Sequence, residues 1–458
     1  MELFDPSDPR PVHFMGIGGA GMSALALVAR RRGVPVSGCD PDPSGAQDVA
    51  ALGAQVSQGH DPSHVSGARA VVVTAAVPSS HPELERARSL GIPVIPRKQA
   101  LADLVNAGTV VALAGTHGKS TTTVMTTEAL AAAGLDPTGL AGGRVNGWGG
   151  NARLGGDRLF VVEADEYDQA FLTLQPTVAV INNVEADHLE CYGSVAALEG
   201  AFAEFAGRAG TVVIGADDPG AGRVAAAIRG PRVWRFGLAE DAELRLFQVA
   251  QAADGSSAGL QLPDGRMITL RLGVPGVHNL RNATGVIGVA LALGAPLEPV
   301  LAALAGYRGL GRRFERLGAA GGIEFVDDYA HHPTELVATL AAARQAYPGR
   351  RLVAVFQPHL YSRTAEHSVA MGQALTGADL AIVTGIYPAR EQPMPGITSQ
   401  LVVDAAAAAG AQVLHEPDKT KLRERLLAAT RAGDVVITLG AGDITRVGRE
   451  MVQWLRAA

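Results

Sequence analysis

An apolar run that ends in a glycine turn lies about a quarter of the way along the chain, in the segment VVALAGTHGKSTTT. This pattern predicts a buried strand that leads through the turn into a helix. We expect the backbone N–H groups of Gly115–Gly118 to face phosphate oxygens and Lys119 to reach the β/γ-phosphates. The hydroxyl of Ser120 or Thr121 would then bind Mg²⁺. The segment therefore predicts a nucleoside triphosphate site, in preference to a glycine turn with an incidental lysine.

The spacing of this loop departs from the G-x-x-x-x-G-K-[ST] pattern at one position. Leu113 stands where the first glycine of that pattern would be. The departure excludes the ordinary P-loop kinases and GTPases as close relatives.

The length of the chain predicts several domains. A chain of 458 residues is too long for one core, and domains of about 100–200 residues are usual. No uninterrupted apolar run approaches the roughly 18 residues of a membrane span, and MELFDPSDPR has neither the basic start nor the apolar stretch of a signal peptide. We therefore expect a cytoplasmic protein with no membrane partner.

The number of cysteines and the net charge exclude some kinds of site and partner. Cys39 and Cys191 are too few for a disulfide framework or a cysteine metal site, and both are expected to be packed thiols. The formal net charge of −6 makes nucleic acid an unexpected partner. Lysine occurs at only four positions, which are Lys98, Lys119, Lys419 and Lys421, so one of the four lies in the phosphate loop.

Three segments alternate short apolar strands with helical stretches, the pattern of α/β domains with parallel sheets. The first covers residues 1–106, the second 107–311 and the third 312–458. The first begins with the turn G-I-G-G-A-G, which contains Gly16, Gly18 and Gly21, and Asp40 ends the next strand. A Rossmann fold places its diphosphate and its ribose-binding acid in this way, although a tight structural turn gives the same spacing.

Acidic residues follow the apolar strand LFVVE in the second segment. They are Glu163, Asp165, Glu166 and Asp168. Because Mg²⁺ takes oxygen ligands, a carboxylate at the end of a strand can complete a metal shell opposite the hydroxyl of the loop. We expect Glu163 to be that ligand and the other acids to be solvated or N-capping.

A second polar group follows the strand TVAVI. It comprises Asn182, Asn183, Glu185, Asp187 and His188. Phosphoryl transfer to a poor nucleophile often uses two metals, and His188 would lie near the second metal or the transferred phosphate. The alternative is a helix-capping Asp187 followed by a surface histidine.

A third group of polar residues is divided between one helix of the second segment and the start of the third segment. Asn279 and Asn282 are three residues apart and share a helix face, so both can reach one base, although such asparagines are often only solvated or capping. The motif DDYAHHP ends a later strand with polar residues before a proline, which favours a site over a core element.

Together these motifs resemble those of the Mur ligases, ATP-dependent amide ligases of peptidoglycan synthesis, over essentially the full length of the chain. The motifs are MGIGGAGMSALA, AGTHGKSTTT, EADEYDQAFL, NNVEADHLE, HNLRNA, GRRFE, DDYAHHPTE and FQPHLYSRT. The resemblance implies three domains, namely a Rossmann-like one, a central P-loop ATPase and a Rossmann-like C-terminal one. It implies ATP and Mg²⁺ as cofactors and UDP-N-acetylmuramate and L-alanine as substrates of a monomer or weak homodimer.

The resemblance also implies residue roles. ATP would be bound by Gly115, Thr116, Gly118, Lys119, Ser120, Thr121, Asn279, Asn282, Arg313 and Asp328. Metals would be held by Ser120, Glu163 and His188. The sugar nucleotide and the amino acid would be bound by Gly16, Gly18, Gly19, Gly21, Asp40, His117, Tyr329, His331 and Arg363. Catalytic roles would fall to Lys119, His188, Arg313 and His331.

Some features of the chain qualify these roles. Many relatives carry arginine where this chain has Leu360, which places more of the carboxylate binding on Arg363. The Gly309–Arg313 junction is a candidate hinge, and His331 and His332 are both candidates for the base that deprotonates alanine.

Alternative functions remain at this stage. One alternative is a related ligase that recycles a cell-wall tripeptide onto the same sugar nucleotide, and the motif FQPHLYSRT argues against it. A nicotinamide-dependent oxidoreductase would explain the first glycine turn but leaves the GTHGKS loop without a use. A non-enzymatic nucleotide sensor would keep that loop but has no need of the metal and acceptor groups.

Overall fold

The computed structural model describes residues 2–252, 254–389 and 391–457. Contacts within the chain divide it into two units. The first unit runs to Gln248 and includes Ala258–Leu270 and Arg281–Gly306. The second consists of Val249–Ser257, Arg271–Leu280 and the chain from Tyr307 onward. Three sheets, each with helices between its strands, define three α/β domains, and the first two sheets lie mainly in the first unit.

The first sheet has five parallel strands in the order β3-β2-β1-β4-β5. Its strands are β1 (Val12–Met15), β2 (Val36–Asp40), β3 (Gln55–Gln58), β4 (Ala70–Val73) and β5 (Val94–Pro96). Its helices are α1 (Ala20–Arg31), α2 (Gln47–Ala51), α3 (Pro82–Ser89) and α4 (Arg97–Val105). Every side chain of β1 is buried, as expected of a central strand with helices on both faces.

The second sheet has ten strands in the order β15-β14-β13-β12-β11-β10-β6-β9-β7-β8. Its strands are β6 (Thr109–Ala114), β7 (Thr138–Val145), β8 (Gly150–Arg153), β9 (Leu159–Glu163), β10 (Val178–Ile181), β11 (Thr211–Gly215), β12 (Arg232–Gly237), β13 (Leu244–Ala252), β14 (Gly255–Gln261) and β15 (Met267–Leu272). Its helices are α5 (Lys119–Ala132), α6 (Leu189–Tyr192), α7 (Val195–Gly207), α8 (Pro219–Ala227), α9 (Val277–Ala292) and α10 (Leu297–Gly306). Strand β6 lies between β10 and β9, parallel to both.

The third sheet has six strands in the order β16-β17-β21-β18-β19-β20, and only β16 is antiparallel to its neighbour. Its strands are β16 (Glu315–Ala320), β17 (Ile323–Asp328), β18 (Leu352–Phe356), β19 (Leu380–Thr384), β20 (Val413–Glu416) and β21 (Val435–Leu439). Its helices are α11 (Pro333–Ala346), α12 (Tyr361–Ala374), α13 (Gln400–Ala408), α14 (Leu422–Ala429) and α15 (Thr445–Ala457).

Each sheet presents the carboxyl ends of its parallel strands along one edge, where open α/β sheets bind ligands. The polar motifs of the sequence follow the strands that end there: the first glycine turn follows β1, the phosphate loop follows β6, and DDYAHHP begins in β17. Within the described ranges, no helix is long and apolar enough to cross a membrane.

Candidate functional site

The phosphate loop connects β6 to α5 as the sequence predicts. Gly115 has φ +131° and Gly118 has φ +81°, a backbone region that side chains rarely adopt. A Cβ at Gly118 would lie 2.9 Å from both Asn182 Nδ2 and Asn282 Oδ1, so the loop also has no space for one. Lys119 begins α5, and among the described residues no side chain caps this helix. The N–H groups of its first turn are therefore suited to an anion.

Asn183 holds the middle of the loop. The N–H of Thr116 donates to Asn183 O (3.1 Å), and the N–H of His117 donates to Asn183 Oδ1 (2.8 Å). Asn183 accepts from these two N–H groups, and the orientation of the whole turn toward phosphate stays a prediction. Asn182 Nδ2 donates to His117 O (3.2 Å) and Thr122 Oγ1 (2.9 Å), which ties the loop to the end of β10.

Lys119 lies against a buried carboxylate. Its Nζ donates to Glu166 Oε1 (2.7 Å), Gly115 O (2.7 Å) and Thr116 O (3.3 Å). Burial lowers the pKa of Lys119, but the Glu166 and Asp165 carboxylates outweigh that effect and raise the pKa above its ordinary value, so the side chain stays cationic. Glu166 is buried, and the expectation that it would be solvated or N-capping is wrong.

The remaining acids after β9 have different surroundings. Glu163 ends the strand beside Leu113 of β6, and its Oε2 accepts from Gly142 N at 2.7 Å. Asp165 Oδ1 accepts from Tyr167 N (3.1 Å), a local bond two residues along the chain. Asp168 forms an ion pair with Lys98 (2.9 Å) and is half exposed.

His188 adopts a left-handed backbone, with φ 55°, directly before the short helix α6. Its N–H donates to Asp187 Oδ1 (2.9 Å), and its ring meets the ring of Tyr167 edge-on at 5.2 Å. His117, in the phosphate loop, places its Nε2 3.4 Å from Glu185 Oε2. Since Tyr167 follows Glu166 directly, the structure brings His188 near the acidic segment that follows β9.

The first glycine turn is held by Asp40. Gly18 N donates to Asp40 Oδ2 (2.9 Å), and Asp40 Oδ1 accepts from Asp42 N (2.9 Å). A Cβ at Gly18 would lie 2.5 Å from Asp42 O, so close backbone approach requires glycine here. A Cβ at Gly21 would lie 2.8 Å from Arg97 Nη1, and Gly19 N donates to Gly16 O (3.0 Å). Asp40 thus orients the turn, and a carboxylate retains further acceptor capacity for a ligand.

Asn279 and Asn282 both lie on α9 and both are buried. Asn279 Nδ2 donates to Pro275 O at 2.8 Å, which fixes the start of the helix. Asn282 approaches Gly118, as noted above, so a member of the predicted base-binding pair reaches the phosphate loop.

The second unit groups several predicted residues at the end of β17. Asp328 is buried, and its two oxygens accept from Phe314 N (2.7 Å) and Ala330 N (2.8 Å). Burial raises the pKa of Asp328 to about 6, against the opposing charge of Arg313. The guanidinium of Arg313 lies 5.0 Å from the centre of the Tyr329 ring, a cation–π contact.

His331 completes this group. Its Nδ1 lies 3.0 Å from Tyr329 O and 3.3 Å from Glu335 Oε2. Burial, reinforced by the charges of Arg363 and Arg313, outweighs Glu335 and lowers the pKa of His331, so the ring is neutral at neutral pH. Its ring lies 5.7 Å from that of His359.

Arg363 lies on α12, and its Nη1 is 3.5 Å from His359 Nδ1. Leu360, the departure from the family pattern, lies directly before this helix and has φ 67°. Arg312, at the predicted hinge, also has positive φ (60°). Its Nη2 donates to Gly440 O (2.7 Å) and Gly442 O (2.9 Å), so its side chain is anchored to the loop after β21.

Sequence reasoning missed the roles of Glu166, Asn183, Glu335 and His359. The sequence does indicate that Glu166 and Asn183 lie near the site, because each belongs to a polar motif that follows a central strand. Their partners are 47 and 66 residues away in the chain, respectively, and no local pattern identifies them.

The chain is similar to known protein families along most of its length. Three family descriptions match consecutive segments: "Mur ligase family, catalytic domain" over residues 11–109, "Mur ligase middle domain" over 113–290 and "Mur ligase, glutamate ligase domain" over 312–442. The chain belongs to the Mur ligase family.

Particular relatives narrow the comparison. The UDP-N-acetylmuramate--L-alanine ligase of Cutibacterium acnes is 45% identical over 99% of this chain and 97% of its own. The UDP-N-acetylmuramate-alanine ligase MurC of Thermotoga maritima has a solved structure with a TM-score of 0.83 and 29% identity, covering 98% of this chain and 99% of its own. The murein peptide ligase of Psychrobacter arcticus gives a TM-score of 0.71 and 25% identity, covering 97% and 98%.

Proposed function

We propose that this chain joins L-alanine to the carboxylate of UDP-N-acetylmuramate and cleaves ATP to ADP and phosphate. The observation that carries the proposal is the 45% identity, over nearly the whole of both chains, to a relative named for this reaction. The phosphate loop, with Lys119 at the start of its helix, supports the ATP-dependent part. The recycling alternative has weaker support, since the murein peptide ligase is 25% identical.

The chemistry requires activation of a carboxylate. An oxygen of the muramoyl carboxylate attacks the γ-phosphorus of ATP, ADP leaves, and an acyl phosphate forms. The neutral amine of L-alanine then attacks the acyl carbon, and phosphate leaves as the amide forms. Lys119 and Arg313 would offset the charge that gathers on the phosphate oxygens.

Magnesium would be held by the hydroxyl of Ser120 and the carboxylate of Glu163, with His188 serving a second ion. Oxygen donors at the first position fit Mg²⁺, which prefers them and keeps several waters. Glu163 ends β9 beside β6, the strand that leads into the loop. The bound metal would neutralise phosphate charge during transfer.

The sugar nucleotide and L-alanine would bind to two groups of residues. The sugar nucleotide would use the turn of Gly16, Gly18, Gly19 and Gly21 with Asp40, because a diphosphate suits a glycine turn at a helix N-terminus. Tyr329, His331 and Arg363, with His117, would contact the reacting carboxylate and alanine. The neutral state of His331 suits a group that accepts the proton of the alanine ammonium.

We assign the domains to residues 1–106, 107–311 and 312–458. Support comes from the three family matches, whose gaps fall near these boundaries. We place the enzyme in the cytoplasm, because ATP and UDP-sugars are cytoplasmic metabolites, and we propose that it is a monomer or weak homodimer. Cell fractionation tests the compartment, and native mass measurement tests the oligomeric state.

A phosphate-release screen tests the reaction. UDP-sugar acids are crossed with L-alanine, other amino acids and the cell-wall tripeptide, and nucleotide products are separated by chromatography. ADP and phosphate should form only with UDP-N-acetylmuramate and L-alanine together. Formation of AMP and pyrophosphate, or turnover with the tripeptide in place of alanine, would refute the proposal.

A further inference from the structure

A polar cluster lies on one face of the first sheet and has no role in the proposed reaction. Cys39 on β2, His13 on β1 and Glu83 on α3 are all buried. His60, in the loop after β3, lies beside them, and its side chain is 25% exposed. Burial of three such side chains in one small domain is unusual, because ionisable groups are costly to bury unless they are paired or bound to a metal.

The potential ligand atoms converge on the sulfur. Cys39 Sγ lies 3.4 Å from His13 Nε2, 3.3 Å from His60 Nδ1 and 3.3 Å from Glu83 Oε1. His60 Nδ1 lies 3.0 Å from Glu83 Oε2. Cys39 is a buried free thiol, as the sequence predicts, and it also contacts three ionisable side chains.

These separations match the edges of a metal site. Around a tetrahedral zinc ion, with bonds of about 2.0–2.3 Å, neighbouring ligand atoms stand about 3.3–3.6 Å apart. Four of the six separations in the set are observed, and their values of 3.0–3.4 Å differ from these by only a few tenths of an ångström. His13, Cys39 and Glu83 by themselves offer ligand atoms that all lie within 4.8 Å of one another. A set of thiolate, imidazole and carboxylate ligands is typical of zinc.

We propose that His13, Cys39, His60 and Glu83 form a Zn²⁺ site in the first domain. The count of two cysteines argued against a site made of cysteine alone, whereas this set needs only one sulfur. The partial exposure of His60 gives the ion a path from solvent, which a fully enclosed set would lack.

Neighbouring groups orient the ligands. His13 Nδ1 lies 3.0 Å from Ser37 Oγ, and a proton on Nδ1 donated to that hydroxyl leaves the Nε2 lone pair directed at Cys39. Glu83 Oε1 accepts from Asp61 N (3.0 Å) and lies 3.0 Å from His64 Nδ1. These contacts fix the carboxylate in the absence of an ion.

His81 has a different role, although it is also close. Its Nδ1 accepts from Glu83 N at 3.2 Å and so caps α3, and its ring meets that of His60 edge-on at 4.8 Å. Because its Nδ1 lies 4.0 Å from Glu83 Oε2, we leave His81 out of the ligand set.

Binding exchanges a proton for the ion. Without metal, the thiol of Cys39 donates to Glu83, and burial, followed by the charge of Glu83, raises the pKa of the thiol. Zn²⁺ forms the Zn–S bond as that proton leaves to solvent. Cys39 also supports the first glycine turn through its backbone, because its carbonyl oxygen accepts from Gly16 N at 2.8 Å. An ion at Cys39 would therefore stiffen the segment that bears the turn.

Cobalt spectroscopy tests the site without any substrate. Tag-free protein stripped of metal is titrated with Co²⁺ under anaerobic conditions in excess Mg²⁺. We expect a thiolate-to-cobalt charge-transfer band and the intense visible bands of four-coordinate cobalt, both removed by one equivalent of Zn²⁺. Failure of the proposed ligase activity would leave this result unaffected, so the two proposals are separable.

Two substitutions assign the sulfur. Cys39→Ser should abolish the charge-transfer band and weaken Zn²⁺ binding by at least about 100-fold, since even outer partners of metal ligands contribute about 10–100-fold. Cys191→Ser, the matched control, should retain both the band and the affinity. His60→Ala, in an exposed loop where misfolding is less of a concern, should weaken binding by at least about tenfold.

The negative outcomes are equally clear. Absence of a charge-transfer band in the wild-type protein would overturn the proposal without recourse to any variant. Loss of the band in Cys191→Ser instead of Cys39→Ser would place the metal elsewhere and overturn it too. Unchanged Zn²⁺ affinity in both Cys39→Ser and His60→Ala would show that the cluster is only a hydrogen-bonded network.

Discussion

The ammonium group of Lys119 lies 2.7 Å from Oε1 of Glu166, and both side chains are largely shielded from solvent. The other carboxylate oxygen, Oε2, has no hydrogen-bond partner among the described residues. Burial raises the pKa of Glu166, against the opposing charge of Lys119. Lys119 is therefore held at the phosphate loop by one carboxylate before any phosphate is bound.

This pair predicts how a variant responds to nucleotide. Glu166→Gln leaves the buried charge of Lys119 without its partner, which should lower the free energy of unfolding by about 3–5 kcal/mol. Because nucleotide phosphates would supply the missing charge, ATP should raise the melting temperature of the variant more than that of the wild type. Differential scanning fluorimetry with and without Mg·ATP measures both effects.

The control for this experiment is Glu204→Gln. Glu204, on α7, pairs with Arg208, the residue directly after that helix, and is more than half exposed, so its removal should change stability little. Equal stability and equal ATP response in Glu166→Gln and wild type would show that Glu166 does not hold Lys119.

Lys119→Ala should separately lower turnover by at least about 100-fold.

The first glycine turn predicts a split between the two Michaelis constants. Gly18→Ala places a Cβ 2.5 Å from Asp42 O and 3.0 Å from Asp40 Cγ, so the turn must shift. Such overpacking costs about 1–3 kcal/mol. The KM for UDP-N-acetylmuramate should therefore rise about tenfold or more, while that for ATP changes little.

Steady-state kinetics with each substrate varied in turn measures this split. Gly200→Ala is the matched control, because nothing lies within 4 Å of a Cβ at that position on α7. A larger rise for ATP than for the sugar nucleotide would reverse the assignment of the two phosphate turns.

Asp328 predicts a titration near neutral pH. Burial raises its pKa to about 6 from an ordinary value of 3.8. Since the folded chain binds this proton more tightly, the group favours folding below about pH 4, and this contribution is lost as pH rises through 6. ¹³C NMR of aspartate-labelled protein should show one carboxyl that titrates near pH 6 and is missing in Asp328→Asn.

The cause of the shift is tested by Arg313→Met. Arg313 lowers the pKa of Asp328, so its removal should move the midpoint above 6. Arg344→Met, on an exposed ion pair with Asp379, should leave that midpoint unchanged. A midpoint below 5 in the wild type would contradict the dominance of burial.

Local sequence patterns predicted the parts of the fold that depend on local chemistry. The apolar run before Gly115 becomes β6, and the helix starts at Lys119, because a buried strand and a glycine turn each leave a local signature. Strand β3 escaped this reasoning. Its sequence QVSQ is polar and lies at an edge of the sheet, where one row of backbone groups is unpaired and apolar side chains are not required.

The pairing of distant residues was not predictable in the same way. Nothing near Glu166 indicates that it is buried, since its neighbours Asp165 and Asp168 are acids of the same motif and remain partly exposed. The cluster around Cys39 includes a residue that lies 44 positions from that cysteine in the chain. Only the order of strands in the first sheet brings β1, β2 and the start of α3 together.

The distribution of lysine predicts independence from carbon dioxide. The resemblance to the Mur ligases implies that a carbamylated lysine in the central domain, as in members that act later in the pathway, could hold the second metal through its carbamate oxygens. This chain has no lysine between Lys119 and Lys419. Carbamylation of Lys119 would abolish the cation that pairs with Glu166 and would leave that buried carboxylate without its partner. In the proposed mechanism the second metal would then depend on His188, substrate oxygens and water.

Removal of bicarbonate and carbon dioxide from the assay should therefore leave the rate of phosphate release unchanged. His188→Ala should lose activity, and added bicarbonate should not restore it, since no carbamate oxygen can replace the imidazole. His415→Ala is the matched control: His415 lies on β20 of the third sheet, where its Nε2 is 2.9 Å from Ser399 Oγ, and it has no place in the proposed site. A reproducible loss of wild-type activity without carbon dioxide, reversed by its return, would show that a carbamate forms despite the missing lysines.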